Sequence, residues 1–123
     1  MIIQKFNPAT GFLETIYSGK VSLTDILKYN SRIRKNRRYP RKLKILSDAT
    51  AVQFVLTKED LKIISERVKQ MLNDYDAVYD AMILNKPKET AYSMLYKGMA
   101  KIKNYHFQYF STKEAALEWL NSF

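Results

Sequence analysis

The residues that could support catalysis are few and lie far apart in the sequence. The chain contains one histidine, His106, and no cysteine, which excludes a disulfide framework, a thiolate metal site and a cysteine nucleophile. Other nucleophiles need a base within hydrogen-bond reach. His106 lies in the run YHFQYF, whose aromatic residues are typical of a β-strand. We therefore predict no catalytic residues and expect that the protein is not an enzyme.

The acidic residues and glycines do not follow the spacing of known metal or phosphate sites. Asp74, Asp76 and Asp80 lie close together, but they lack the glycine and the terminal glutamate of a calcium loop. We interpret them as a solvated connection between a helix and a strand. The three glycines are isolated, so a glycine-rich phosphate loop is absent. We predict no metal and no cofactor, and Asp48, at a predicted strand end, gives only weak support for a ligand crevice.

Positive charge is concentrated between Arg32 and Lys44. The chain has a formal net charge of +9, and this segment contains eight basic residues and no acidic one. Such a segment either keeps a protein in solution or docks an anion, such as a phosphate, an acidic protein or a lipid surface. We expect its candidate docking residues to be replaceable with little loss of stability. They flank Pro40 and are Arg37, Arg38, Arg41 and Lys42.

Nucleic acid is an alternative partner for the same segment. Positive charge alone provides sequence-independent attraction to a phosphate backbone. The segment contains one aromatic residue, Tyr39, and no evident platform for stacking bases. The nucleic-acid hypothesis therefore depends on charge and has no motif to support it.

The elements that position these residues alternate along the chain. Hydrophobic periodicity and turn residues predict the order β-β-α-β-α-β-α-β-α, starting with a hairpin around Asn7–Gly11. We predict an α/β fold in one domain, residues 1–123, with a mixed, mostly parallel sheet and helices on both faces. The strand Leu43–Ser47 is expected at its centre, and Ser18–Val21 is expected to end the second strand.

Three helices have predicted N-terminal caps. Ser22 and Thr57 each precede an aspartate by three residues, which is a weaker form of the capping box. Ser111, followed by Glu114, is predicted to cap the last helix. On that helix, Trp119 is interpreted as a core anchor.

Two segments and the order of elements resemble the SpoIIAA-like, or STAS-like, small bacterial proteins. The segments are NKPKETAYSMLYKGMAK (Asn85–Lys101) and FSTKEAALEWL (Phe110–Leu120). The strand containing Asp48, followed by the helix that Thr57 caps, adds to the likeness, which covers nearly the whole chain. Its motifs concern packing and capping, so the resemblance implies the fold more than a function.

The resemblance also draws attention to Thr57. Anti-sigma-factor antagonists of the STAS fold carry a phosphorylated serine or threonine at the start of the helix after a central strand. Thr57 is the similar position here, but Lys58 and Glu59 stand where small residues would be expected. We therefore interpret Thr57 as a capping residue that is only weakly similar to a phosphoacceptor.

These observations leave three functional hypotheses. The first is a non-enzymatic module that docks a protein or small anion through residues 32–44, and the second is nucleic-acid or anionic-surface binding by the same segment. The third is a carrier of an apolar ligand, since the family resembles SEC14-type domains in fold, and a pocket beside the helices would favour it. The N-terminus lacks the pattern of a signal peptide, and no apolar run approaches the roughly 20 residues of a membrane span. We expect a cytoplasmic protein, either a monomer or a homodimer.

Overall fold

The computed structural model describes residues 1–123 as one five-stranded sheet and four helices. The strands are β1 (Ile2–Asn7), β2 (Phe12–Ser22), β3 (Lys42–Val55), β4 (Ala77–Ile83) and β5 (Tyr105–Phe110). The helices are α1 (Leu23–Lys35), α2 (Lys58–Met71), α3 (Pro87–Met99) and α4 (Lys113–Leu120). This order confirms the predicted alternation of strands and helices.

The sheet is mixed, as predicted, and its strands lie side by side in chain order. β1 pairs antiparallel with β2, and each later pair is parallel. β3 is therefore the central strand, which confirms the position expected for Leu43–Ser47. Each parallel connection is long enough to hold a helix that returns the chain to the same end of the sheet.

The two faces of the sheet carry cores of unequal size. Because strand side chains alternate between faces, Leu13 and Ile45 join one core, while their neighbours Phe12 and Leu46 join the other. The larger core has 24 buried residues and packs against α1, α2 and α3. The smaller core has 6 buried residues and packs against α4. Helices therefore cover both faces, three on one side and one on the other.

The first two predicted caps are confirmed, and the last is wrong by one residue. The side chains of Ser22 and Thr57 both form complete capping boxes with the aspartates at Asp25 and Asp60. For α4, Thr112 is the capping residue, and its hydroxyl accepts a hydrogen bond from the Ala115 amide at 3.2 Å. The helix begins one residue later than expected, so the predicted Ser111–Glu114 box does not form.

Two further expectations are corrected, one by the length of β2 and one by the burial of residues on α4. The sequence around Gly19 does not end β2, because the strand continues to Ser22 in register with β3 after a bulge near Ile16. Gly19 has a φ of +64°, a conformation that glycine adopts without strain. On α4, Leu120 is fully buried, whereas Trp119 is only partly buried and packs beside the smaller core.

Candidate functional site

A row of buried polar residues crosses the sheet beneath α1, α2 and α3. Thr15 on β2, Ser47 on β3 and Asp80 on β4 are each buried, and they stand among apolar neighbours. Thr15 lies opposite Ser47 in the strand register, and Ser47 Oγ donates a hydrogen bond to Asp80 Oδ1 at 2.9 Å. The three side chains therefore share one face of the sheet.

Asp80 is the most unusual member of this row. The expectation that it belongs to a solvated connection is wrong, since Asp80 lies inside β4 and is 8% exposed. Burial raises the pKa of its carboxyl group to about 7, although the hydrogen bond from Ser47 acts in the opposite direction. The carboxyl group forms no salt bridge. A buried carboxylate without a cation is costly, so the neutral form is favoured.

Above this row, a cavity of about 70 Å³ lies between the sheet and the helices. It is lined by 20 residues, of which 17 are hydrophobic, and the three others are Asn30, Asp80 and Ser93. Seven of the lining side chains are aromatic: Tyr17, Tyr29, Phe54, Tyr92, Tyr96, Tyr105 and Phe107. No lysine or arginine is among the lining residues, so the cavity combines an apolar, aromatic wall with a single acidic group.

Asn30 contributes a second polar group to the cavity wall. Its side-chain nitrogen is buried and has no hydrogen-bond partner in the protein. Most buried polar atoms in proteins have a partner, so an unsatisfied donor in a cavity wall calls for an explanation. In the sequence, Asn30 falls on the apolar stripe of α1. That position indicates that its side chain faces the sheet, so this residue could have been found from the sequence.

Four of the five tyrosine hydroxyls around the cavity form hydrogen bonds with protein groups. Tyr29 Oη and Thr15 Oγ1 are 2.7 Å apart, and Tyr96 Oη and Tyr105 Oη are 2.8 Å apart. Burial raises the pKa values of Tyr29, Tyr96 and Tyr105 above their usual value. These hydroxyls therefore remain neutral, and Asp80 is the only group on the cavity wall that can become charged near neutral pH.

In the basic segment, Arg41 has a structural role. Its guanidinium group donates to the carbonyl oxygens of Asp74 at 2.7 Å, Asn36 at 2.9 Å and Tyr39 at 2.8 Å. The same group lies 4.2 Å from the centre of the Tyr75 ring. Arg41 thus fixes the loop after α1 to the loop before β4. Our expectation that it can be replaced without loss of stability does not agree with these contacts.

The other three candidate docking residues lie at the surface. Arg37 has a side chain that is 78% exposed, and its nearest acidic group is Asp74 at 3.9 Å. Arg38 and Lys42 are exposed and form no salt bridge. Arg37 and Arg38 lie on the loop that Arg41 holds, and Lys42, on the other side of Pro40, is the first residue of β3. Positive charge is therefore available at Arg37, Arg38 and Lys42.

The remaining residues selected from the sequence do not come together in a site. The Thr57 hydroxyl is exposed and accepts from the Asp60 amide at 3.1 Å, as expected of a cap. His106 is exposed on the face opposite the cavity, stacked on Tyr79 with a centroid distance of 4.7 Å. Asp48 lies inside the long strand β3, with its carboxylate accepting from Thr50, so the predicted strand-end position is wrong. There is no group of three or more side chains suited to hold a metal ion.

Comparison with known proteins shows the fold. No family model matches the chain, and no curated protein matches it. Its structure is similar to the crystal structure of an uncharacterised protein of the DUF3478 family, with a SpoIIAA-like fold, from Shewanella loihica PV-4. The TM-score is 0.62 at 16% sequence identity, over 97% of this chain and 93% of that one. The SpoIIAA-like fold expected from the sequence is thereby confirmed. None of the helices is long and apolar enough to cross a membrane.

Proposed function

We propose that this protein is a non-enzymatic binding module that holds a small, largely apolar molecule beneath α1, α2 and α3. The observation that supports this function is the aromatic cavity of about 70 Å³ with Asp80 and Asn30 in its wall. Ligand sites are typically concave and apolar, with a few polar groups that fix the orientation of the ligand. A strongly shifted pKa in such a cavity is a further common feature of functional sites.

The volume of the cavity limits the size of the ligand. An engineered cavity of about 150 Å³ in another protein binds benzene. The cavity here is about 70 Å³, which accommodates only a few non-hydrogen atoms when the helices stay in place. A larger ligand requires α1, α2 or α3 to move away from the sheet.

Filling the cavity tests this function. Ser93 lies on α3, is buried and lines the cavity, so Ser93→Leu places additional carbon atoms inside it. Ala91 lies on the same helix but is exposed, so Ala91→Leu adds comparable bulk outside the cavity. Binding of isobutanol is followed by NMR chemical-shift changes in residues that line the cavity. We expect saturable shifts in the wild type and in Ala91→Leu, and none in Ser93→Leu.

The opposite results would contradict the proposed function. If neither isobutanol nor a charged probe of similar size shifts the cavity residues, the cavity is only a packing defect. If Ser93→Leu binds isobutanol as well as the wild type does, binding takes place elsewhere. Circular dichroism of both variants shows whether each one is folded.

The basic segment supports a second candidate function, the docking of a small anion or an acidic protein. The supporting observation is that Arg38 and Lys42 are exposed without ion pairs, Arg38 on the loop that Arg41 holds in place and Lys42 at the start of β3. Inorganic phosphate and duplex DNA serve as probes that separate a small-anion site from general attraction to polyanions. Replacing Arg37, Arg38 and Lys42 by glutamine is expected to abolish binding, while Arg41 is retained to keep the loop folded. Unchanged affinity and salt dependence in this triple variant would show that the segment only contributes solubility.

A further inference from the structure

The cavity has an unusual balance of charge. Its wall contains one carboxyl group, that of Asp80, and no basic side chain. The other titratable residues of the wall are all tyrosines, namely Tyr17 from β2, Tyr29 from α1, Tyr92 and Tyr96 from α3, and Tyr105 from β5. Glu89 is also buried on α3, but it accepts from the Phe54 amide at 3.2 Å and does not line the cavity. Asp80 therefore has no protein cation to pair with.

The aromatic side chains add a second feature. Tyr17 lies at 74° to both Tyr29 and Phe54, and Tyr96 lies at 87° to Phe107. Nearly perpendicular rings present faces and edges in several directions around one volume. The faces of aromatic rings carry partial negative charge, and they attract ammonium groups most strongly where water is excluded. The wall of this cavity is thus suited to a positive charge.

We propose that the ligand of this cavity is a small organic cation, an alkylammonium or quaternary ammonium ion, paired with Asp80 and surrounded by the aromatic side chains. This inference rests on the proposed function and names the class of ligand. An anionic ligand would lie beside the acidic group with no basic residue to neutralise it. A neutral ligand would fill the volume but would leave the carboxyl group without an ionic partner.

Binding of a cation is coupled to the proton of Asp80. When Asp80 is protonated, entry of the cation releases that proton to solvent and leaves an ion pair of cation and carboxylate. When Asp80 is already ionised, no proton is released. Since burial places the pKa of Asp80 at about 7, affinity should rise by up to about tenfold per pH unit below that value and level off above it. A neutral ligand of the same shape should not show this dependence.

The experiment compares cationic and neutral probes of similar size. Tetramethylammonium keeps its charge at every pH, and isobutylammonium matches the neutral isobutanol in shape. Binding is measured by isothermal titration calorimetry at about pH 5.5 and about pH 8, together with the number of protons released. We expect both cations to bind more tightly at the higher pH, with proton release at the lower one. Isobutanol should bind equally at both.

Asp80→Asn is the decisive variant. It removes the charge but keeps the shape and the oxygen that accepts from Ser47 Oγ. Loss of one partner of a buried charge pair typically weakens binding by about 30-fold or more. We expect this loss for both cations at about pH 8, with little change for isobutanol. Glu89→Gln removes a buried acidic group outside the cavity, and its affinity for the cations should match that of the wild type.

The outcomes separate this inference from the proposed function. If isobutanol binds in the cavity but the cations do not, or if they bind Asp80→Asn as tightly as the wild type, the inference is wrong while the binding function stands. If affinity for the cations does not change with pH, pairing with Asp80 is likewise refuted. If no probe binds at all, both the inference and the proposed function fail.

Discussion

Replacement of Asp80 by asparagine should change how the stability of this protein depends on pH. Burial raises the pKa of the Asp80 carboxyl group from its ordinary value of 3.8 to about 7 in the folded protein. Between these two values the folded state binds a proton that the unfolded state has lost. The free energy of unfolding therefore falls as the pH rises through this window, and the stabilisation by the proton is complete only below about pH 4.

The size of the effect follows from the two pKa values. Each pH unit inside the window changes the free energy of unfolding by about 1.4 kcal/mol. Over the interval from 3.8 to about 7, the loss for the wild type is on the order of 4 kcal/mol. Asp80→Asn cannot ionise and still accepts a hydrogen bond from Ser47, so this contribution disappears. The variant should be more stable than the wild type by on the order of 2–4 kcal/mol at about pH 8.

Urea denaturation followed by circular dichroism measures this difference. Unfolding curves are recorded for both proteins at several pH values between about 4.5 and about 8, and Asp48→Asn, at an exposed acidic residue, serves as the control. The wild type and the control should lose stability as the pH rises, and Asp80→Asn should be nearly constant. If the free energy of unfolding depends on pH in the same way for the wild type and Asp80→Asn, the argument that Asp80 is a buried, protonated carboxyl group is refuted.

The other predictions concern the basic segment and the cap of α2. Arg41→Ala removes the guanidinium group that donates to three carbonyl oxygens, and it should lower the free energy of unfolding by about 1–3 kcal/mol. Arg38→Ala, the control, should change this free energy by less than about 0.5 kcal/mol. Urea denaturation measures both effects. Equal effects of the two substitutions would contradict the structural role of Arg41. Thr57→Ala removes the capping hydroxyl and should cost about 1 kcal/mol, and mass spectrometry of the protein from its host cells should find no stoichiometric phosphate on Thr57. A fully phosphorylated Thr57 would show that the residue is a switch.

The parts of the structure that were predictable depend on local sequence. The capping boxes at Ser22 and Thr57 are each completed within three residues, so the sequence contains all the information required. The central position of Leu43–Ser47 follows from the alternation of apolar strands and capped helices. The shift of the last cap from Ser111 to Thr112 shows the limit of this reasoning, because two adjacent hydroxyl residues can each begin a helix.

The candidate site was not predictable because its members meet only through tertiary structure. Asp80 and Ser47 are 33 residues apart, and their hydrogen bond depends on how β3 pairs with β4. Proximity to Asp74 and Asp76 in sequence suggested a solvated loop for Asp80, but the strand register places it in the core. The contacts of Arg41 with Asp74 likewise connect two distant loops. Composition shows that the segment is basic, and only the fold shows that the guanidinium group of Arg41 already has protein partners.

The energetic cost of Asp80 bears on its role. Above about pH 7, a buried acidic group without a cation destabilises the fold, and an apolar residue of similar size would avoid this cost. Departures from the pattern that best stabilises a core are expected mainly at functional sites. Asn30, with an unsatisfied donor, departs from that pattern in the wall of the same cavity. A buried acidic group in the wall of an aromatic cavity is better explained by a cationic ligand that pairs with it than by a defect of packing.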